Sequence, residues 1–213
     1  MPETLEGHLG ADELSLWKSL DTPAKIQAYL DQTPYSPQDD NRSPLSVMRD
    51  HLAHCLDGGL FAAAALRRLG YDPLIVDLLP DPGMDDDHVL AIYRLNGYYG
   101  AIAKSNFVGL RYREPIYRTL RELVLSYFEN FYNLNGIKTL RSYTRPINLS
   151  RFDALNWEWS DTRLLVIEKY LKKLKGIRLL TPEMTAGLLP VDNLSYQAGM
   201  LGSNPDGIYK PRL

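Results

Sequence analysis

The sequence predicts an α+β fold, with helices packed on one face of an antiparallel sheet. Three observations predict it. The Ala-rich run from Cys55 to Leu69, closed by Gly70, has the composition of a buried helix. A strand-length apolar run, Pro73 to Leu79, follows it. A second run, His88 to Leu95, meets Asn96-Gly97, a strong hairpin signal, and Tyr98 to Ala103 returns as its partner.

The flanking elements follow in order. Leu14, Trp17 and Leu20 share one face of a helix over 11–20. Thr22 caps the next helix, with Pro23 at its first position, and it runs to about Leu30. Residues 33–44 are rich in Pro, Ser, Asp and Asn and are expected to be a surface loop, placed so that it can lie over the start of the Cys55 helix. Pro80 to Asp87 is a turn in which Asp85 and Asp86 are expected to be solvated. Further helices are expected over Thr119–Tyr132 and from a cap at Ser160 or Asp161 through Lys175, stopped by Gly176. Their aromatic and aliphatic residues read as core. Residues 1–175 are expected to form one domain with its core motif at about 45–110. Residues 176–213 are expected to be largely irregular, packed on that domain or partly mobile.

Composition narrows the function classes. A chain of 213 residues with 45% hydrophobic and 23% charged residues suits one soluble domain that buries a core without staples. A net charge of −2, from 24 basic and 26 acidic residues, offers no electrostatic reason for nucleic acid or an anionic membrane as partner. No apolar run approaches the roughly 20 residues of a membrane span. The single cysteine, Cys55, allows no internal disulfide. The start, Met1-Pro2-Glu3-Thr4-Leu5-Glu6, lacks the pattern of a signal peptide, and the expected location is cytoplasmic.

The chemistry-bearing residues cluster in the middle of the chain. Cys55 opens a helix, and His88 opens a strand; a thiol and an imidazole so placed are the parts of a nucleophile–base pair. The partial positive charge of a helix N-terminus favours a thiolate, and the same N–H groups can hold an oxyanion. Gly58 and Gly59 lie one turn inside that helix. Each costs up to about 1 kcal/mol against Ala, so close approach of the sheet or of a substrate is expected there. His88 faces the side of its strand shared by Leu90 and Ile92. A two-residue hairpin loop places Ser105 opposite His88; a bulge places Asn106 there. Asn106 is preferred, because an amide oxygen holds the imidazole tautomer without burying a charge. Arg111 and Arg113 follow, as a substrate-carboxylate site or, as expected, a surface salt-bridge cluster. His51, His54 and Cys55, with Asp87 and His88, make zinc a rival reading, but no second Cys exists. No metal and no cofactor is assigned.

The order of Cys helix, strand, His strand and hairpin, over roughly residues 45–110, resembles the transglutaminase-like branch of the papain-like cysteine protease superfamily. The residues that carry the likeness are Cys55, His88 and the return strand from Tyr99 to Asn106. The resemblance implies a papain/transglutaminase-like α+β fold and a cysteine hydrolase or acyltransferase, a protease or amidase among them, acting on a peptide or small amide. Cys55 would attack, His88 would serve as base and then acid, and Asn106 would orient His88. The chain departs from the usual Asp third residue: Ala103-Lys104-Ser105-Asn106 holds no carboxylate. That departure supports the alternative, a catalytically degenerate scaffold that binds a protein or peptide partner.

Overall fold

A computed structural model describes residues 4–210. Helix α1 (Ala11–Ser19) and helix α2 (Pro23–Gln32) form where expected, and the Thr22 side chain accepts the Lys25 N–H at the start of α2. A short helix that the sequence reading did not anticipate, α3 (Pro44–Asp50), is capped by the Ser43 hydroxyl and ends at His51 in the left-handed region, φ 48°. Helix α4 (Cys55–Arg68) begins at the cysteine itself, with His54 as its N-cap.

Strands β1 (Leu74–Pro80), β2 (His88–Leu95) and β3 (Tyr98–Ile102) follow, then β4 (Arg113–Tyr117), helix α5 (Leu120–Leu125), β5 (Leu140–Tyr143) and β6 (Ile147–Asn148). Helix α6 (Leu164–Leu171), β7 (Ile177–Arg178), α7 (Pro182–Ala186) and α8 (Asn193–Met200) complete the order. The strands form one antiparallel sheet in the order β4-β3-β2-β1-β5-β7, with β6 also pairing β1. Asn96 and Gly97 both take positive φ, 52° and 88°, as a two-residue hairpin turn requires. The β2–β3 register runs without a bulge from Leu95↔Tyr98 to Ala91↔Ile102. The bulge that would have brought Asn106 opposite His88 is therefore absent, and β3 ends before either candidate is reached.

Two helices expected to be long are short. The 119–132 stretch divides into α5 and a 3-10 turn at Phe128–Asn130, and the 160–175 stretch is helical only over α6. The tail after 176 is more regular than its composition suggests: β7 extends the sheet and two capped helices follow. Among the described residues, no helix is long and apolar enough to cross a membrane.

The sheet separates two apolar layers. On one face, Leu60, Phe61 and Leu66 of α4 pack with Ile75, Val89, Ala91 and Tyr93. On the other, Val76, Leu78, Leu90 and Ile92 meet Leu123 and Tyr127. Strict alternation along β2 thus sends odd-numbered residues toward α4 and even-numbered ones away from it. The two glycines of α4 explain how closely that helix lies. A Cβ at Gly58 would stand 2.1 Å from Lys104 Cβ, and one at Gly59 would stand 2.6 Å from Val89 Cγ1. Val89 is fixed in β2, and Lys104, just past β3, is held by its own bonds to Leu30 O and Thr33 O, so neither can swing away.

Gly58→Ala and Gly59→Ala should therefore each destabilise the chain by about 1–3 kcal/mol, despite the better helix propensity of alanine. The measurement is the urea unfolding midpoint. A midpoint that stays put or rises would show that the helix does not lie this close to the sheet.

Candidate functional site

Cys55 lines a cleft of about 620 Å³. Its walls come from the 33–43 loop, the Asp86–Asp87 turn, α6 and residues 206–209. The loop is tied down on the helix start: Ser36 N–H donates to Ala53 O at 3.0 Å, and Arg42 N–H donates to the Asp57 carboxylate at 2.7 Å. Asp57 also accepts the His54 N–H at 3.1 Å. A loop that reads as a surface connection is thus a cleft wall, because an acid buried in the first turn of α4 recruits its backbone.

Cys55 is 8% exposed as a residue, and its thiol makes a long hydrogen bond to Asp87 O, at 3.9 Å. Burial pushes the thiol well above its ordinary pKa, and the Asp87 and Asp86 carboxylates push it further. The helix N-terminus acts in the opposite direction and is outweighed. The depressed thiol expected from the helix position alone does not arise here, because three acids, Asp77 among them, surround the same spot.

His88 stands on the far side of the sheet. As an even-numbered residue of β2, it shares the face of Leu90 and Ile92, whereas α4 packs against Val89 and Ala91. Its Nε2 is 2.7 Å from Leu110 O, which fixes the ring in the second layer. Burial lowers its pKa to about 4, so the ring is neutral and Nε2 donates. Asn106 has a separate task. Its Nδ2 donates to Asn204 O at 2.8 Å and to Gly207 O at 3.2 Å, and its Oδ1 accepts the Asn204 N–H at 2.7 Å. The amide is committed to residues 204–207, which is why it does not serve as the imidazole's orienter. Ser105 uses its hydroxyl to accept the Phe107 N–H.

The remaining candidates are dispersed. His51 lies beside the Tyr29 ring, 6.1 Å between centroids, and His54 Nδ1 accepts the Leu56 N–H. Among the described residues, no group of three or more His, Cys, Asp or Glu could hold a metal ion. Arg111 pairs with Asp31 at 3.2 Å, and Arg113 bonds Ser126 and Gly109 O above the Tyr127 ring. Lys104, in place of the carboxylate of the resembled pattern, turns inward and donates to Leu30 O and Thr33 O at the end of α2. A cation there complements the negative end of that helix.

What sequence reasoning missed is Asp77. It pairs with Val89 across β1–β2 and so faces α4. It is fully buried, and neither carboxyl oxygen has a hydrogen-bond partner. Burial raises its pKa well above the usual range, and repulsion from Asp87 adds to this. Asp87 is raised to about 6 and Asp57 to about 7, both chiefly by burial. An acid in the apolar stretch Leu74-Ile75-Val76-Asp77-Leu78-Leu79 was the available signal.

No family model matches the chain, and no curated protein matches its sequence. What the fold and cleft define is a mixed α+β protein with a cysteine-bearing helix packed on an antiparallel sheet and further helices C-terminal to it.

The buried acids bind protons more tightly folded than unfolded. Their contribution is present below about pH 4 and is lost as pH rises through 6 for Asp87 and 7 for Asp57. His54 and His88, both lowered to about 4, act oppositely: their contribution is present above 6.5 and is lost as pH falls through 4. Asp77→Asn removes one raised acid. Its stability relative to the parent should therefore improve as pH rises from about 4.5 to about 8. Urea unfolding at both pH values measures it. A pH-independent difference would mean that Asp77 is ionised at its ordinary pKa.

Proposed function

We propose that this chain is a transglutaminase-like scaffold that has no thiol chemistry and binds a peptide partner in the cleft over Cys55. The order of Cys helix, strand, His strand and hairpin supports the transglutaminase-like assignment. The observation that carries the binding reading is the pleat of β2: Cys55 lines the cleft with Val89, whereas His88 bonds Leu110 O in the layer of Leu90. A thiol hydrolase or acyltransferase needs an imidazole against its sulfur and an acceptor behind the imidazole. Here the imidazole is spent on Leu110 O and the amide of Asn106 on Asn204 and Gly207. The acids around the sulfur oppose the thiolate that a nucleophile requires.

The cleft keeps features that suit a binding role. Leu56, Val89 and Leu171 supply apolar floor, while Asp86, Asp87 and Lys172 supply polar contacts at its edge. Such a mixture of apolar surface with a few convergent polar groups is the usual composition of a recognition site.

Alkylation of Cys55 by iodoacetamide, followed against pH, tests this. The expected profile rises only above about pH 9 and is the same in a His88→Gln variant, since the ordinary thiol value is about 8.5. An apparent pKa below 8.5 that moves upward in His88→Gln would instead reveal a working Cys–His pair and overturn the scaffold reading.

A further inference from the structure

The segment after α8 forms one wall of the cleft. It leaves the helix through Gly202, whose φ of 71° turns the chain, and folds into a short 3-10 turn at Pro205–Gly207. Asp206, Gly207, Ile208 and Tyr209 then line the cleft opposite Cys55. The helix before it is held independently: the Tyr132 hydroxyl donates to Ser195 O, and the Tyr196 hydroxyl donates to Leu134 O.

Its attachment is polar and shallow. Asn106 clasps it with three hydrogen bonds, and Asn204 Nδ2 adds one to Tyr35 O at 3.2 Å. Gly207 lies so close to Tyr35 that a Cβ there would stand 2.8 Å from its ring. None of residues 201–210 is buried. A segment with no buried apolar anchor opens at far lower cost than the domain unfolds. Its partners, by contrast, sit on the sheet end and the loop wall, which stay in place when it leaves.

This arrangement is that of a peptide bound in its site, except that the peptide is part of the same chain. On the binding reading given above, we infer that residues 203–209 are a displaceable strap occupying the cleft in cis. The external partner is then a peptide presenting the same groups: an asparagine-led turn followed by an aliphatic and an aromatic side chain. The asparagine fits because its backbone and side chain together satisfy the Asn106 amide and the Tyr35 carbonyl. The aliphatic–aromatic pair fits because Ile208 and Tyr209 lie along the cleft wall. Tethering gives the strap an effective concentration in the millimolar range, so a partner must bind well to displace it.

The strap walls the cleft that holds the thiol, and Cys55 alkylation at fixed pH in the full chain therefore reports its position. Two variants loosen it from opposite sides. Gly207→Val acts on the strap alone, and Asn106→Ala removes the clasp. Both should speed alkylation at least tenfold, and Gly207→Val should leave the urea midpoint unchanged. A synthetic peptide of residues 201–210, added at millimolar concentration to Gly207→Val, should slow alkylation back toward the parent rate; a scrambled peptide should not. The strap is refuted if Gly207→Val labels at the parent rate, or if parent labelling rises with urea in step with global unfolding. The peptide class is refuted if neither peptide protects, or if both do. These failures are distinguishable from failure of the scaffold reading, which shows in the pH profile and its His88 dependence and not in the strap variants.

Discussion

Helix α4 lies on β2 and on the residues just past β3 at a separation that admits no side chain at two successive positions. Gly58 meets the Cβ of Lys104, and Gly59 meets Val89. Everything about the site descends from this contact. It fixes which residues of β2 share a layer with the cysteine, because a strand offers only alternate side chains to one face. It also places the start of α4 against the turn before β2, so the sulfur meets Asp87 O. A full turn of alanines in the same helix, Ala62 to Ala65, keeps it thin on every side, and each of those residues is buried.

Depth has an electrostatic consequence. Close packing excludes water from the space between α4 and β1–β2, and the acids caught there resist ionisation. Asp57 answers with two backbone N–H groups, from Arg42 and His54, and so converts its burial into the docking of the 33–43 loop. Asp77 has no such donors. An ionised carboxylate in that position would be costly, and raising the pKa is the available response. A thiolate at Cys55 would add a further negative charge to the same dry space. The helix N-terminus is worth roughly 1 kcal/mol to an anion at most partly exposed sites, which is too little to offset burial together with Asp87 and Asp86.

The central elements were legible in the sequence because each carried redundant local signals. Helix α2 had Thr22 and Pro23, the hairpin had Asn96-Gly97, and α4 had its alanines and Gly70. The alternation that separates His88 from α4 was legible too: the side of Leu90 and Ile92 follows from position alone. What remained hidden was which side α4 would choose, since that is decided by the glycine contact and not by β2. Helix α3 was hidden because Ser43-Pro44 reads equally well as loop punctuation and as a cap with proline at the first helical position. The roles of Asn106 and Lys104 were hidden for a different reason. Their partners are 98 and 74 residues distant in the chain, Asn204 and Leu30, and no local pattern announces such a pairing.

The strap and the thiol are linked through water. The first cause of the raised thiol is burial, and residues 206–209 supply part of that burial by lining the cleft. The second cause is the pair of acids, which stay with the β1–β2 end whether or not the strap is in place. Opening the cleft therefore removes one cause and leaves the other: the sulfur becomes accessible without becoming acidic. Access and activation are separate properties in this fold. An enzyme of the resembled class gains activation from an imidazole in the same layer. This chain puts its imidazole on the other side of the sheet, and on the proposed reading residues 206–209 govern access in place of activation.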